Sequence, residues 1–83
     1  MKPEVKIYSL STCSHCKAAK RFLDECIVKY DVTDVDLLPG TERAAVLEEV
    51  KRLNPACSFP TIIIGEKVIV GFKEGEIRKA LGL

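Results

Sequence analysis

The 83-residue sequence carries almost no net charge, no long apolar run and no second pair of closely spaced cysteines. Thirteen Lys and Arg against twelve Asp and Glu leave +1, too little to hold nucleic acid by charge alone. No apolar stretch approaches the ~20 residues of a membrane span; the longest, Thr61–Ile64, has the length of a strand. The segment Met1–Ile7 lacks the continuous apolar core of about 7–15 residues that marks a secretory signal. The chain is therefore read as cytoplasmic, with neither membrane nor nucleic acid as a partner. Repeats, linkers and low-complexity tracts are also missing, which leaves one domain over residues 1–83. A chain this short buries only about 60–65% of its unfolded surface. Its 47% hydrophobic and 30% charged residues are proportions typical of a folded globular protein.

The four cysteines raise the question of a disulfide scaffold. Closing the short Cys13–Cys16 loop constrains the unfolded chain by only about 2 kcal/mol, less than the ~3 kcal/mol of a 15-residue loop. The pair is a poor staple and a good switch. In a reducing compartment C-x-x-C is more often catalytic or metal-binding than structural. A structural zinc site calls for four ligands, usually in two pairs. Here the remaining donors are His15, inside the loop, and the isolated Cys26 and Cys57, so no metal and no cofactor is expected.

Val5–Ser9 alternates and is rich in β-formers, predicting a first strand. Ser11, Thr12 and Ser14 offer capping oxygens for a helix from Cys13 or Ser14 to Ile27. In it Cys16, Ala19, Leu23, Cys26 and Ile27 form the buried stripe. Lys17, Lys20, Arg21, Asp24 and Glu25 are left mostly toward water. A short strand is predicted over Tyr30–Val35, then a helix capped by Thr41 and running to Leu53. Val46, Leu47, Val50 and Leu53 make its core face, and Asn54-Pro55 stops it. Thr61–Ile64 and Lys67–Val70 flank Gly65-Glu66, the signature of a hairpin with a type II′ turn. A last helix spans about Lys73–Leu81. The order β-α-β-α-β-β-α describes an α/β domain with a four-stranded mixed sheet, its first β-α-β a right-handed parallel unit.

Cys13-Ser14-His15-Cys16 stands directly after the first strand and opens the first helix. A free thiol is only about 3% thiolate at neutral pH, and first-turn N–H groups with the helix dipole favour the anion at Cys13. Residues three apart on a helix are about 5–6 Å apart at Cβ, close enough to form a disulfide after a small adjustment. Cys13 is thus the candidate nucleophile and Cys16 the resolving thiol. His15 has two readings: an imidazole that favours the neighbouring thiolate, or a solvated loop residue. Cys26 reads as core filler. Cys57 is either an incidental loop residue or a third redox thiol. In Ser58-Phe59-Pro60-Thr61 the proline marks a strand start or a special bend.

These segments together resemble the glutaredoxin family of the thioredoxin-like superfamily. The likeness runs through Ile7-Tyr8, Cys13-Ser14-His15-Cys16-Lys17, Phe59-Pro60-Thr61 and Val70-Gly71-Phe72. It implies a thioredoxin-like fold, a cis Phe59–Pro60 bond facing Cys13, a Phe59 backbone that pairs with extended substrate, and Gly71-Phe72 bordering the groove. Two features depart from the family pattern. Glutaredoxins commonly place a lysine three residues before the first cysteine, where it meets a glutathione carboxylate; here that position is Leu10. Their Gly-Gly followed by acidic residues is here Val70-Gly71-Phe72-Lys73-Glu74. That stretch is closer to redoxins reduced by thioredoxin reductase, such as the NrdH-type redoxins.

The resemblance and the residues lead to one expectation: a monomeric dithiol oxidoreductase that reduces protein disulfides through Cys13 and Cys16. Its electron donor is expected to be a thioredoxin-reductase-type system. The alternatives are a glutathione-dependent glutaredoxin and, from another class, a metal or iron–sulfur carrier using Cys13.

Overall fold

A computed structural model describes residues 4–83, and the start of Met1–Ile7, expected to lack a secretory signal, lies outside the described residues. The chain forms β1 (Val5–Ser9), α1 (Ser14–Glu25), β2 (Asp31–Asp34), a 3₁₀ turn (Val35–Leu37), α2 (Gly40–Leu53), β3 (Thr61–Ile64), β4 (Lys67–Val70) and α3 (Glu74–Leu81). The sheet order is β2-β1-β3-β4. β1 and β2 are parallel, and the other two pairings are antiparallel. This is the mixed sheet expected from the sequence.

Side chains alternate across β1 with period two. Val5 and Ile7 join Ala19, Phe22 and Leu23 of α1, Ile77 of α3 and the sheet residues Ile62, Ile64 and Ile69 in one cluster. Tyr8, on the opposite face, packs with Val35 and Val50 of α2, with Val46, Leu47 and Leu53 around them. Two helices therefore cover one face of the sheet and α2 covers the other. β1 is buried on both faces apart from Lys6, which is exposed. Gly65 takes φ 62 in the hairpin, the left-handed backbone that the first central position of a type II′ turn requires.

Four expectations are corrected. α1 ends at Glu25, and Ile27 is 87% exposed at φ 55 instead of sitting on the buried stripe. Phe22 fills the core in its place. The backbone explains the shift: Val28 N–H donates to the Leu23 carbonyl and Ile27 N–H to the Asp24 carbonyl, a Schellman closure that turns Ile27 out of the helical path. Lys20 is partly sheltered and ion-paired, not left to water. The second strand is shorter, because Val35 enters the 3₁₀ turn. Thr41 lies inside α2, whose N-cap is Pro39 without a side-chain hydrogen bond.

Candidate functional site

The pairing register gathers four loops at one end of the sheet. Ser9, the last residue of β1, stands opposite Asp34, the last of β2. Tyr8 is opposite Thr61 at the start of β3, and Thr61 is opposite Val70 at the end of β4. The segments 10–13, 35–37, 57–60 and 71–73 therefore leave the sheet side by side, and three of them carry residues named from the sequence.

Cys13 is the N-cap of α1, with extended backbone, and its sulfur accepts from Cys16 N–H at 3.3 Å. The cap is thus a sulfur and not one of the flanking hydroxyls. Cys13 N–H donates to the Leu10 carbonyl and the Cys13 carbonyl accepts from Lys17 N–H, which fixes the loop on both sides of the thiol. All four cysteines are free thiols. Cys13 is partly exposed, whereas Cys16 is buried.

The two sulfurs are shifted in opposite directions. A hydrogen bond from the Cys16 side chain, backbone N–H groups of Cys16 and His15 and the Lys20 charge hold the Cys13 thiol below its ordinary range against partial desolvation. Burial, and next the hydrogen bond to Cys13, push Cys16 up to about 11. His15 is exposed, and it reaches Cys13 through its backbone amide.

Around this pair lie residues that the sequence did not mark as part of the site. Ser9 donates its hydroxyl to Asp34 Oδ1, which also accepts from Lys20 Nζ at 2.9 Å. Two residues further on, Ser11 donates its N–H to Asp36 Oδ1 and its hydroxyl to Asp36 Oδ2. Both aspartates are held below the usual carboxylate range, Asp34 first by Ser9 and then by Lys20, Asp36 by Ser11. The matching Ser-x-Ser and Asp-x-Asp spacings were the available signal, but they become informative only with the register that sets Ser9 opposite Asp34.

Phe59–Pro60 is cis, as the resemblance implied. Pro60 is buried and Phe59 half-buried. The Pro60 carbonyl accepts from Gly71 N–H at 2.8 Å, and Gly71 adopts φ 84. Phe72 packs its ring against Phe22 of α1, centroids 5.8 Å apart, on the α1–α3 side of the sheet. Asn54, almost fully buried, organises the loop before Pro60. Its amide donates to the Ser58 carbonyl and hydroxyl and to Thr61 Oγ1, while its carbonyl accepts from Ala56 N–H. Cys57 stands in that loop at φ 50 and packs toward the α2 cluster; Cys26 packs toward the α1 cluster.

A model of the glutaredoxin family matches residues 5–69, most of the chain. This chain belongs to the glutaredoxin family. A glutaredoxin-like 8.6 kDa protein of the rubredoxin operon of Clostridium pasteurianum is 34% identical over 77 residues, covering 93% of this chain and 96% of the relative. Methanoredoxin of Methanosarcina acetivorans superposes with TM-score 0.94 at 43% identity, covering 99% of this chain and 87% of that one. A glutaredoxin of Methanosarcina mazei Go1 gives 0.89 at 51% identity over 96% of this chain and 79% of that one. The glutaredoxin described here is accordingly a thiol redox protein with a thioredoxin-like fold.

Proposed function

We propose that this glutaredoxin is a dithiol redoxin that reduces protein disulfides with Cys13 as nucleophile and Cys16 as resolving thiol. The supporting observation is the asymmetry of the pair: an accessible sulfur whose pKa is lowered, one turn ahead of a buried sulfur raised to about 11. The Cys13 thiolate attacks one sulfur of a substrate disulfide, forms a mixed disulfide and expels the other sulfur as a thiolate, which takes a proton from water. The Cys16 thiol then loses its proton to water and attacks Cys13 Sγ. The bond between Cys13 and the substrate breaks, and the second substrate thiolate leaves. Two electrons pass to the substrate and Cys13–Cys16 becomes a disulfide, which a dithiol reductant must return to the starting state.

We infer that this reductant is a thioredoxin-reductase-type system, flavin- or ferredoxin-linked. Leu10 stands where a lysine would meet glutathione, and Val70-Gly71-Phe72-Lys73-Glu74 lacks the Gly-Gly of the family pattern and sets Lys73 before its acidic residue. The protein is supplied with NADPH or reduced ferredoxin, the matching reductase and a disulfide substrate, in parallel with glutathione and glutathione reductase. Turnover is expected with the first system and weak with the second. Efficient reduction of glutathione mixed disulfides, with no turnover by thioredoxin reductases, would reverse the assignment.

A further inference from the structure

Cys16 and Lys20 are four residues apart and share one face of α1, and Cys13, three residues before Cys16, caps the start of that helix. A long side chain on a helix leans back over the preceding turn, which here carries Cys16. Lys20 Nζ lies 2.9 Å from Asp34 Oδ1, and both side chains are about a quarter exposed, at 23% and 25%. The same oxygen accepts from the hydroxyl of Ser9, which is fully buried. The carboxylate is thus gripped from two elements, β1 and α1. The other ion pairs among the described residues, Lys73–Glu76 and Arg78–Glu74, are longer, at 3.6 and 3.9 Å, and more than half exposed. Lys20–Asp34 is therefore the sheltered pair, and it stands at the redox end of the sheet. The other titratable groups at this end are Asp36, which holds Ser11, Arg43, which donates to the Asp36 carbonyl, Lys73, which pairs with Glu76, and the exposed His15 and Lys17.

We propose that Lys20 is a positioning residue of the dithiol chemistry, with its ammonium held by Asp34, which Ser9 fixes in turn, on the helix face that carries Cys16 one turn behind the Cys13 cap. A fixed cation at this place favours the thiolate over the thiol at each sulfur. It therefore assists two steps: ionisation of Cys13 before attack, and loss of the Cys16 proton before resolution. Lys20 acts on both sulfurs in the lowering direction, in keeping with this placement. Asp34 orders the cation rather than acting on substrate.

This inference rests on the dithiol reading, and its test separates the two. Thiolate absorbance is followed against pH, and the Cys13–Cys16 equilibrium is titrated in dithiothreitol buffers, for the wild type, Lys20→Met, Lys20→Gln, Lys20→Arg and Asp34→Ala. Neither measurement needs a partner protein. For Lys20→Met and Lys20→Gln the Cys13 ionisation constant is expected to fall about two- to fivefold, the range of a partly exposed ion pair. The equilibrium constant for reducing the disulfide should fall by a similar factor, about 10–20 mV. Lys20→Arg should stay near wild type, and Asp34→Ala should move in the same direction as Lys20→Met by a smaller amount. A lowered melting point with no change in ionisation or potential would make the pair structural and overturn the inference. A fall in the Cys13 pKa on Asp34→Ala would show that the carboxylate cancels the cation, and would overturn the anchoring. A wild type that forms no reversible Cys13–Cys16 disulfide would instead sink the dithiol reading.

Discussion

The Cys13 sulfur accepts from the backbone of the first turn of α1, while Cys16 is sealed beneath it. Cys13→Ser is therefore expected to abolish disulfide reduction, and Cys16→Ser to leave a mixed disulfide on Cys13 that persists; mass spectrometry after mixing with a disulfide substrate distinguishes them. The same contrast sets a pH dependence. Cys13 should be alkylated by iodoacetamide around neutrality, its rate climbing with pH and levelling above its lowered pKa. Cys16, at about 11, should react only in strongly alkaline solution. Equal labelling of both at pH 7 would contradict the assignment. At His15 the backbone amide is what reaches Cys13, and the proposal that the imidazole adds a screened contribution is tested by substitution. His15→Ala keeps the amide, so the expected result is a slightly higher Cys13 pKa and a potential lowered by tens of millivolts at most. Redox titration beside thiolate absorbance reads both. Unchanged values would leave the backbone of the first turn as the source of the reactive thiol.

Helix ends and loop hubs explain how those residues are held. α1 closes on Ile27, a β-branched residue at φ 55 whose side chain is almost wholly in water. Left-handed backbone costs a side-chain-bearing residue roughly 1–2 kcal/mol. α3 closes with Gly82 at φ 77, where that cost vanishes. Ile27→Gly should therefore stabilise the protein, by about 0.5–1 kcal/mol after the extra chain entropy of glycine. Chemical denaturation with unchanged slope would register it as a higher midpoint. Asn54 presents the opposite case. Its amide joins the end of α2 to Ser58 and Thr61, so Asn54→Ala strands buried Thr61 Oγ1 and the Ser58 carbonyl with fewer partners. The expected loss is about 1–3 kcal/mol. Faster hydrogen exchange should appear at residues 55–60 before it appears in β1. Unchanged protection there would remove Asn54 as the organiser of the loop.

Over the whole molecule, two small apolar clusters lie on the two faces of β1, and a domain of this size has a total stability of only about 5–15 kcal/mol. Ile62 is fully buried at the centre of the sheet, so Ile62→Ala is expected to cost about 2–5 kcal/mol. Calorimetry should show a single cooperative transition at a much lower temperature; a loss below about 1 kcal/mol would mean that the α1 and α3 helices collapse onto the gap. Much of this architecture was legible in the sequence. Alternation marked β1, the Gly65-Glu66 turn marked the hairpin, and the strand–Cys13-Ser14-His15-Cys16–helix order marked the redox site, because those signals depend on neighbours along the chain. Ile27 was misplaced because a three-and-four spacing does not show where a helix stops; the backbone bonds to Leu23 and Asp24 decide that. Lys20, Asp34, Ser9 and Asn54 were not legible as site residues. The partners of Ser9, Lys20 and Asp34 are 14 to 25 positions away, and only the register of β1 against β2 and the packing of α1 over that edge bring them together; Asn54 reaches Thr61 only because the loop after α2 folds back to β3. The sequence by itself determined that two thiols stand at a helix start, since that follows from local order. The tertiary structure decided which charges stand beside them, since electrostatic influence follows distance in space and is indifferent to distance along the chain.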